Sequence, residues 1–98
     1  MLTDGFDHKT ASAAFIVEND KGLHTRPSTE LVKCAILFNS EISLLCNEQK
    51  VSAKSLLGIL TLAASKGTEV TVEAIGPDAE EAIAAILDLA NRKFHITY

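Results

Sequence analysis

The chain contains short segments in which apolar and polar residues alternate, and this pattern constrains the fold more than any other feature. The clearest are residues 41–46 (EISLLC) and residues 68–75 (TEVTVEAI). Successive side chains of a strand point to opposite faces, so each segment predicts a strand with one buried and one exposed face. A similar alternation begins near Ala13, and residues 49–52 follow the turn-forming pair Asn47-Glu48. The sequence therefore predicts four strands.

Two further segments predict helices between the strands. Residues 27–38 have apolar residues at spacings of three and four, and Pro27 fits a first helical turn, where its missing N–H costs nothing. Residues 55–62 are apolar nearly throughout, and the Lys66-Gly67 pair after them is typical of a helix-to-strand stop, so we predict a short helix there. The inward positions of the first helix are predicted to be Leu31, Val32, Ala35, Ile36 and Phe38.

The last helix has the strongest sequence signature. Asp78 is a favourable N-cap residue, and Glu81 three residues later predicts an acidic variant of the capping box. Arg92 and Lys93 suit the negative end of a helix. A single apolar stripe follows from the spacing of Ala79, Ala82, Ile83, Ile86, Leu87 and Ala90.

The predicted order is β-α-β-β-α-β-α, which indicates an α+β fold. We expect two layers: a four-stranded antiparallel sheet, with three helices on one face and solvent on the other. With 98 residues the chain has room for one core. Residues 1–12 are polar and aperiodic and are predicted to be a flexible extension, so the domain is expected to span residues 13–98.

Composition excludes several classes of function. A net charge of −4 and an aromatic content of 5% argue against a nucleic-acid binder. The apolar stretches are too short for a membrane span. Cys34 and Cys46 lack the spacing of a metal or redox site, so both are expected to be buried, reduced thiols. Residues 1–7 lack the features of a secretory signal, so we expect a cytoplasmic protein, and its size and charge are compatible with a monomer.

Residues 22–29 (GLHTRPST) are the segment of this sequence in which we expect a chemically reactive site. They place His24 where a loop becomes a helix, so the N–H groups of the first turn and the helix dipole favour an anion beside it. Arg26 adds a guanidinium whose donors fit a phosphate. These parts suit a histidine that accepts a phosphoryl group and passes it on. By themselves they also fit a capping or surface histidine, or reversible capture of an anion.

This octapeptide resembles the active-centre signature of the HPr family, the histidine-containing phosphocarriers of the bacterial phosphoenolpyruvate:sugar phosphotransferase system. A second stretch, residues 54–63 (KSLLGILTLA), resembles the other signature of that family. The resemblance extends from about Ala13 to about Asn91. It implies an open-faced β-sandwich in which a four-stranded antiparallel sheet carries three helices on one face, in agreement with the predicted order.

The resemblance also implies roles for individual residues. His24 would be phosphorylated, on Nδ1, by enzyme I, and Arg26 would steady the phosphoryl group during transfer to a sugar-specific A-type domain. Such a carrier is stoichiometric rather than a turnover enzyme, and neither a metal nor a cofactor is implied. Docking of enzyme I and of the A-type domains is expected to involve Thr29, Leu56, Leu57 and Leu60.

Ser55 has both a structural and a regulatory interpretation. It precedes the short helix, so its hydroxyl is expected to cap it. By resemblance it is also a target of HPr kinase, and a phosphate there would place about −2 charge beside the docking leucines. A mainly regulatory protein that acts on a transcriptional regulator therefore stays open, as does a nitrogen-branch carrier. A third alternative is a small module in which His24 and Arg26 bind an anion reversibly.

Overall fold

The computed structural model describes residues 9–96, and its elements follow the predicted order. The last helix is followed by a short 3-10 turn, and residues 1–8 and 97–98 lie outside the described part of the chain. The elements are β1 (Thr10–Ile16), α1 (Thr25–Ala35), β2 (Glu41–Cys46), β3 (Gln49–Ser52), α2 (Leu56–Thr61), β4 (Glu69–Ile75), α3 (Ala79–Asn91) and the turn Lys93–His95.

The four strands form one antiparallel sheet in the order β1-β4-β2-β3. Phe15 of β1 lies opposite Val70 of β4, and Val72 of β4 lies opposite Leu44 of β2. These four side chains share one face of the sheet and are buried. The alternation in the sequence is therefore the alternation between the covered and the open face, as predicted.

The helices cover one face of the sheet, and the other face is open. The core between the layers includes Leu31 from α1, Ile59 from α2 and Ile86 from α3, each fully buried. On the open face Ile16 and Ile75 remain 48% and 41% exposed. The fold is thus the α+β open sandwich that the sequence predicted.

The first strand begins earlier than predicted. Thr10, Ala11 and Ser12 were expected to belong to a flexible extension, yet they pair with the end of β4, and Thr10 lies opposite Ile75. The prediction relied on apolar side chains, whereas strand pairing uses the backbone, and a half-buried alanine gives little hydrophobic signal. The predicted extension is therefore paired from residue 10 onward.

The first helix lies slightly earlier than the predicted 27–38. It runs over Thr25–Ala35, so Pro27 is its third residue and remains within the first turn, where a proline is tolerated. Ile36, predicted to point inward, is 57% exposed. The helical residues end at Ala35 and Ile36 is the C-cap, so the apolar spacing no longer describes one helical face at this position.

Asp78 is the N-cap residue of α3, but the predicted capping box is absent. Its carboxylate makes no capping hydrogen bond. It accepts hydrogen bonds from the backbone N–H groups of Asn39 and Ser40, at 2.9 Å each, and from the Ser40 hydroxyl. These bonds, the Ser40 hydroxyl bond first, hold the pKa of the Asp78 carboxyl below its ordinary value. The carboxylate therefore joins the start of α3 to the loop before β2.

Candidate functional site

The loop that precedes His24 is fixed at several points. The N–H of Gly22 donates to the Asn19 carbonyl at 2.9 Å, and the N–H of Leu23 donates to the Ala64 carbonyl at 2.8 Å. Leu23 is buried, 4% exposed. At the outer edge of the loop the Lys66 ammonium donates to the Asp20 carboxylate at 3.0 Å, and this hydrogen bond and charge lower the pKa of Asp20. The backbone is thus positioned before it reaches the histidine.

His24 is the N-cap residue of α1, as the motif predicts. Its backbone is extended, with φ −79° and ψ −168°, and its carbonyl accepts the first intrahelical bond, from Ser28 N–H at 3.1 Å. The ring makes no capping hydrogen bond. The Nε2 atom is buried, while the residue as a whole is half-exposed. The exposed surface of His24 therefore belongs to atoms other than Nε2.

The first turn of α1 has backbone donors directly after the histidine. A helix leaves its first N–H groups without intrahelical acceptors, and Pro27 has none, so the donors of this turn are those of Thr25 and Arg26. The Arg26 side chain is exposed. Ser28 is fully buried, and its hydroxyl donates to the Leu23 carbonyl at 3.0 Å, which ties the turn to the loop. A group of negative charge would be favoured at this end of the helix.

The second predicted motif lies on a helix that packs against α1. Ser55 is its N-cap, and its Oγ accepts a hydrogen bond from Gly58 N–H at 3.0 Å, as predicted. Ile59 faces the core and is fully buried. The residues assigned to docking differ in exposure: Leu57 is 73% and Leu56 37% exposed, whereas Leu60 and Thr29 are half-buried.

This side of α1 is completed by a residue that was not among the predicted site residues. Thr25, Arg26, Thr29 and Glu30 line a shallow concavity of about 210 Å³, and its fifth lining residue is Ile96. Ile96 lies beyond the last predicted helix, yet it is only 6% exposed. Ile96 and the start of α1 are about seventy positions apart, so no local sequence pattern predicts that they lie together. The one weak indication is that an isoleucine is often buried, and this one follows an amphipathic helix.

Cys34 and Cys46 are free thiols; Cys46 is buried as expected, whereas Cys34 is only half-buried. His95 is exposed. Within residues 9–96 no group of three or more His, Cys, Asp and Glu side chains is arranged to hold a metal ion. None of the helices in that part of the chain is long and apolar enough to cross a bilayer.

Comparison with known proteins places these observations in a family. The family model of the PTS HPr component phosphorylation site matches residues 11–92. This range contains both sequence motifs and all four strands apart from the first residue of β1.

Solved structures give the same result. The chain is similar to HPr-C-His from Thermoanaerobacter tengcongensis, with 39% identity over 90% of this chain and 99% of that one and a TM-score of 0.85. It is also similar to the histidine-containing phosphocarrier protein of Mycoplasma, with 36% identity over 85% and 96% of the two chains and a TM-score of 0.80. The Bacillus subtilis catabolite repression protein Crh matches with 37% identity over 80% and 90% and a TM-score of 0.69.

Proposed function

Because the chain belongs to the HPr family of phosphocarrier proteins, we propose that it accepts a phosphoryl group on His24 from phospho-enzyme I and passes it to sugar-specific A-type domains. The observation that carries this proposal is the position of His24. It is the half-exposed N-cap of an eleven-residue helix that begins with donor groups. A phosphoryl group on that ring would lie at the positive end of the helix dipole.

The proposed step is a transfer between two nitrogen or sulfur nucleophiles. A lone pair of the His24 ring attacks phosphorus while the bond from phosphorus to the donor residue breaks, and the donor keeps that electron pair. Burial of Nε2 supports Nδ1 as the attacking atom. Arg26 offers a planar fork of N–H donors that fits the phosphoryl oxygens. In the second transfer a nucleophile of the A-type domain attacks the phosphorus, and the bond from phosphorus to His24 breaks. His24 keeps that electron pair, so the carrier returns to its starting state.

Two surfaces would serve the partners in this proposal. Leu56 and Leu57 form an exposed apolar pair beside α1, and an apolar patch next to a charged site is typical of a protein interface. Thr29 lies one turn after Thr25 and donates to its carbonyl at 2.8 Å, so the two residues share one side of the helix. Leu60 is half-buried and would contribute at the edge.

A mainly regulatory role is the second candidate. It is favoured by Ser55, whose hydroxyl lies at the start of α2, and by the similarity to Crh, which is named for catabolite repression. A kinase that phosphorylates Ser55 would add negative charge beside Leu56 and Leu57 and weaken docking of enzyme I. The presence of His24 in the active-centre motif supports the carrier role as the first candidate.

The decisive experiment is the intact mass of the protein after incubation with phosphoenolpyruvate and enzyme I. We expect one added phosphate that is labile in acid and stable in base, as a phosphoramidate is. His24→Ala should remain folded by circular dichroism and gain no phosphate. Label that persists in this variant would refute the assignment of His24. A wild-type chain that binds phosphate reversibly but never gains mass would instead be an anion-binding module.

A second measurement separates transport from regulation. The initial phosphorylation rate is compared for the sugar-branch enzyme I and for its nitrogen-branch homologue, with phosphoenolpyruvate in excess. Faster transfer from the sugar-branch enzyme supports the first candidate. Transfer confined to the other enzyme, or modification at Ser55 alone by HPr kinase and ATP, supports the regulatory one.

A further inference from the structure

After α3 the chain turns back through three consecutive residues with left-handed backbone. Lys93, Phe94 and His95 have φ of 54°, 56° and 62°. Residues with a Cβ rarely adopt this region, and a run of three is held only where surrounding contacts require it. The N–H groups of His95 and Ile96 donate at 3.0 Å to carbonyls three residues back, which closes a tight turn.

Two buried side chains hold this turn. Phe94 is 1% exposed and meets the ring of Phe15 edge-on, with 5.7 Å between ring centroids. Asn19 is fully buried, and its Nδ2 donates to the Lys93 carbonyl at 3.0 Å. Asn19 belongs to the loop that leads to the histidine, so its amide joins that loop to the end of the described chain.

The turn delivers Ile96 to the first turns of α1. There it is 6% exposed and shares a concavity with Thr25 and Arg26. It is the apolar member of a lining that otherwise consists of polar and charged residues. The methylene groups of an arginine pack readily on such a side chain while the guanidinium stays in water.

We propose that Ile96 is a positioning residue of the phosphoryl-transfer site, and that Asn19 acts with it by holding the turn. Ile96 supports the first turn of α1 and limits the directions open to the Arg26 side chain, so less conformational entropy is lost when the guanidinium meets the phosphoryl group. The inference rests on the proposed function, because it assumes that His24 carries phosphate.

The test is the steady-state transfer from phosphoenolpyruvate through enzyme I, with this chain as the varied acceptor. In Ile96→Ala we expect kcat to fall by about tenfold, since small errors of placement have large kinetic effects, while KM changes less than about twofold. Ile96→Val, which keeps the branched side chain, should restore most of the rate. Ile75→Ala, on the open face of the sheet, is the matched control and should change neither constant.

A double-mutant cycle with Arg26→Ala shows whether Ile96 acts through the arginine. If it does, Ile96→Ala has little further effect once Arg26 is absent. Asn19→Ala should lower kcat in the same way while leaving Ile96 in the chain. Circular dichroism and the melting temperature report whether each variant is folded at the assay temperature.

Any of four results would overturn the proposal. The first is a normal kcat with a raised KM, which would make Ile96 a contact of enzyme I. The second is a loss of rate that equals the unfolded fraction, and the third is a loss that is fully additive with that of Arg26→Ala. The fourth is unchanged kinetics in both Ile96→Ala and Asn19→Ala. A wild-type chain that gains no phosphate would overturn the proposed function itself, which is a different outcome from a labelled wild type with unaffected variants.

Discussion

The Oγ atom of Ser55 accepts a hydrogen bond from the backbone N–H of Gly58 at 3.0 Å, within the first turn of the six-residue helix α2. Ser55→Ala removes this acceptor, and we expect the free energy of unfolding to fall by about 1 kcal/mol. Ser55→Asp keeps an acceptor and adds a charge that suits the helix start, so it should recover most of the loss. Urea unfolding followed by circular dichroism measures both, and equal losses would contradict a capping role.

Position 22 requires a glycine for two reasons: its backbone is left-handed, and a neighbouring segment leaves no room for a Cβ. It has φ of +69°, and a Cβ at this position would lie 2.3 Å from the Ala64 carbonyl oxygen. We expect Gly22→Ala to lower the free energy of unfolding by about 3 kcal/mol, through strain and displacement of the loop before His24. Denaturant unfolding gives the value.

Gly67 is the matched control for that substitution. It also has positive φ, +90°, but a Cβ there meets nothing within 4 Å. Gly67→Ala should therefore cost only the conformational part, about 1 kcal/mol. The phosphorylation rate should fall in Gly22→Ala and stay normal in Gly67→Ala. Similar losses of stability in the two variants would show that the approach to Ala64 is unimportant.

Most of the fold could be predicted because its signals are local. The alternation around Val70 and Val72 identifies a half-buried strand without reference to the rest of the chain, and both valines are fully buried. The start of α1 near His24 also has a local signal, because the proline three residues later is typical of a first helical turn. The boundaries were less accurate. Thr10 pairs through its backbone, which no side-chain pattern reports.

The remaining parts of the site depend on contacts between distant segments. Asn19 has the sequence context of a turn residue, but it is fully buried and its amide donates to the Lys93 carbonyl, 74 residues away. Asp78 has the sequence context of a helix cap, but Ser40 competes for its carboxylate. In both cases the partner comes from a segment distant in the sequence, 74 residues away for Asn19 and 38 for Asp78, so no local pattern reveals it.

Leu57 is the residue that best separates docking from stability. Its side chain is 73% exposed, so Leu57→Ala should change the free energy of unfolding by less than about 0.5 kcal/mol. If enzyme I docks there, KM for this chain as acceptor should rise about fivefold with kcat nearly unchanged. Leu37→Ala is the matched control, because this leucine is 77% exposed but lies in the groove between α1 and α3. Equal changes in the two variants would argue against a specific patch.

The carboxylate of Asp78 should make the fold sensitive to acid. Its pKa is lowered in the native state, chiefly by the Ser40 hydroxyl, so its contribution is present above about pH 4 and is lost as the pH falls through the native pKa. Asp78→Asn should be less stable than the wild type at pH 7, and the difference should shrink toward pH 3. Thermal unfolding at several pH values measures it, and a difference that does not depend on pH would contradict this origin.

Asp20 provides the comparison for that experiment. Its pKa is lowered by the hydrogen bond and charge of Lys66, and both side chains of this pair are largely exposed. Salt screens exposed charges far more than it weakens hydrogen bonds to hydroxyl and backbone groups. The loss of stability caused by Asp20→Asn should therefore be small and should disappear in 1 M salt. The loss caused by Asp78→Asn should persist at that salt concentration.

The two thiols should react at different rates because their burial differs. Burial raises the pKa of the half-buried Cys34, so at pH 8 its thiolate fraction is smaller than that of an unshielded thiol. Alkylation of Cys34 by iodoacetamide should be slower than that of a short peptide and keep increasing with pH beyond the usual thiol range. Cys46 is 5% exposed and should react only after unfolding in urea. Peptide mass spectrometry assigns the site, and early labelling of Cys46 in the native protein would contradict its place in the core.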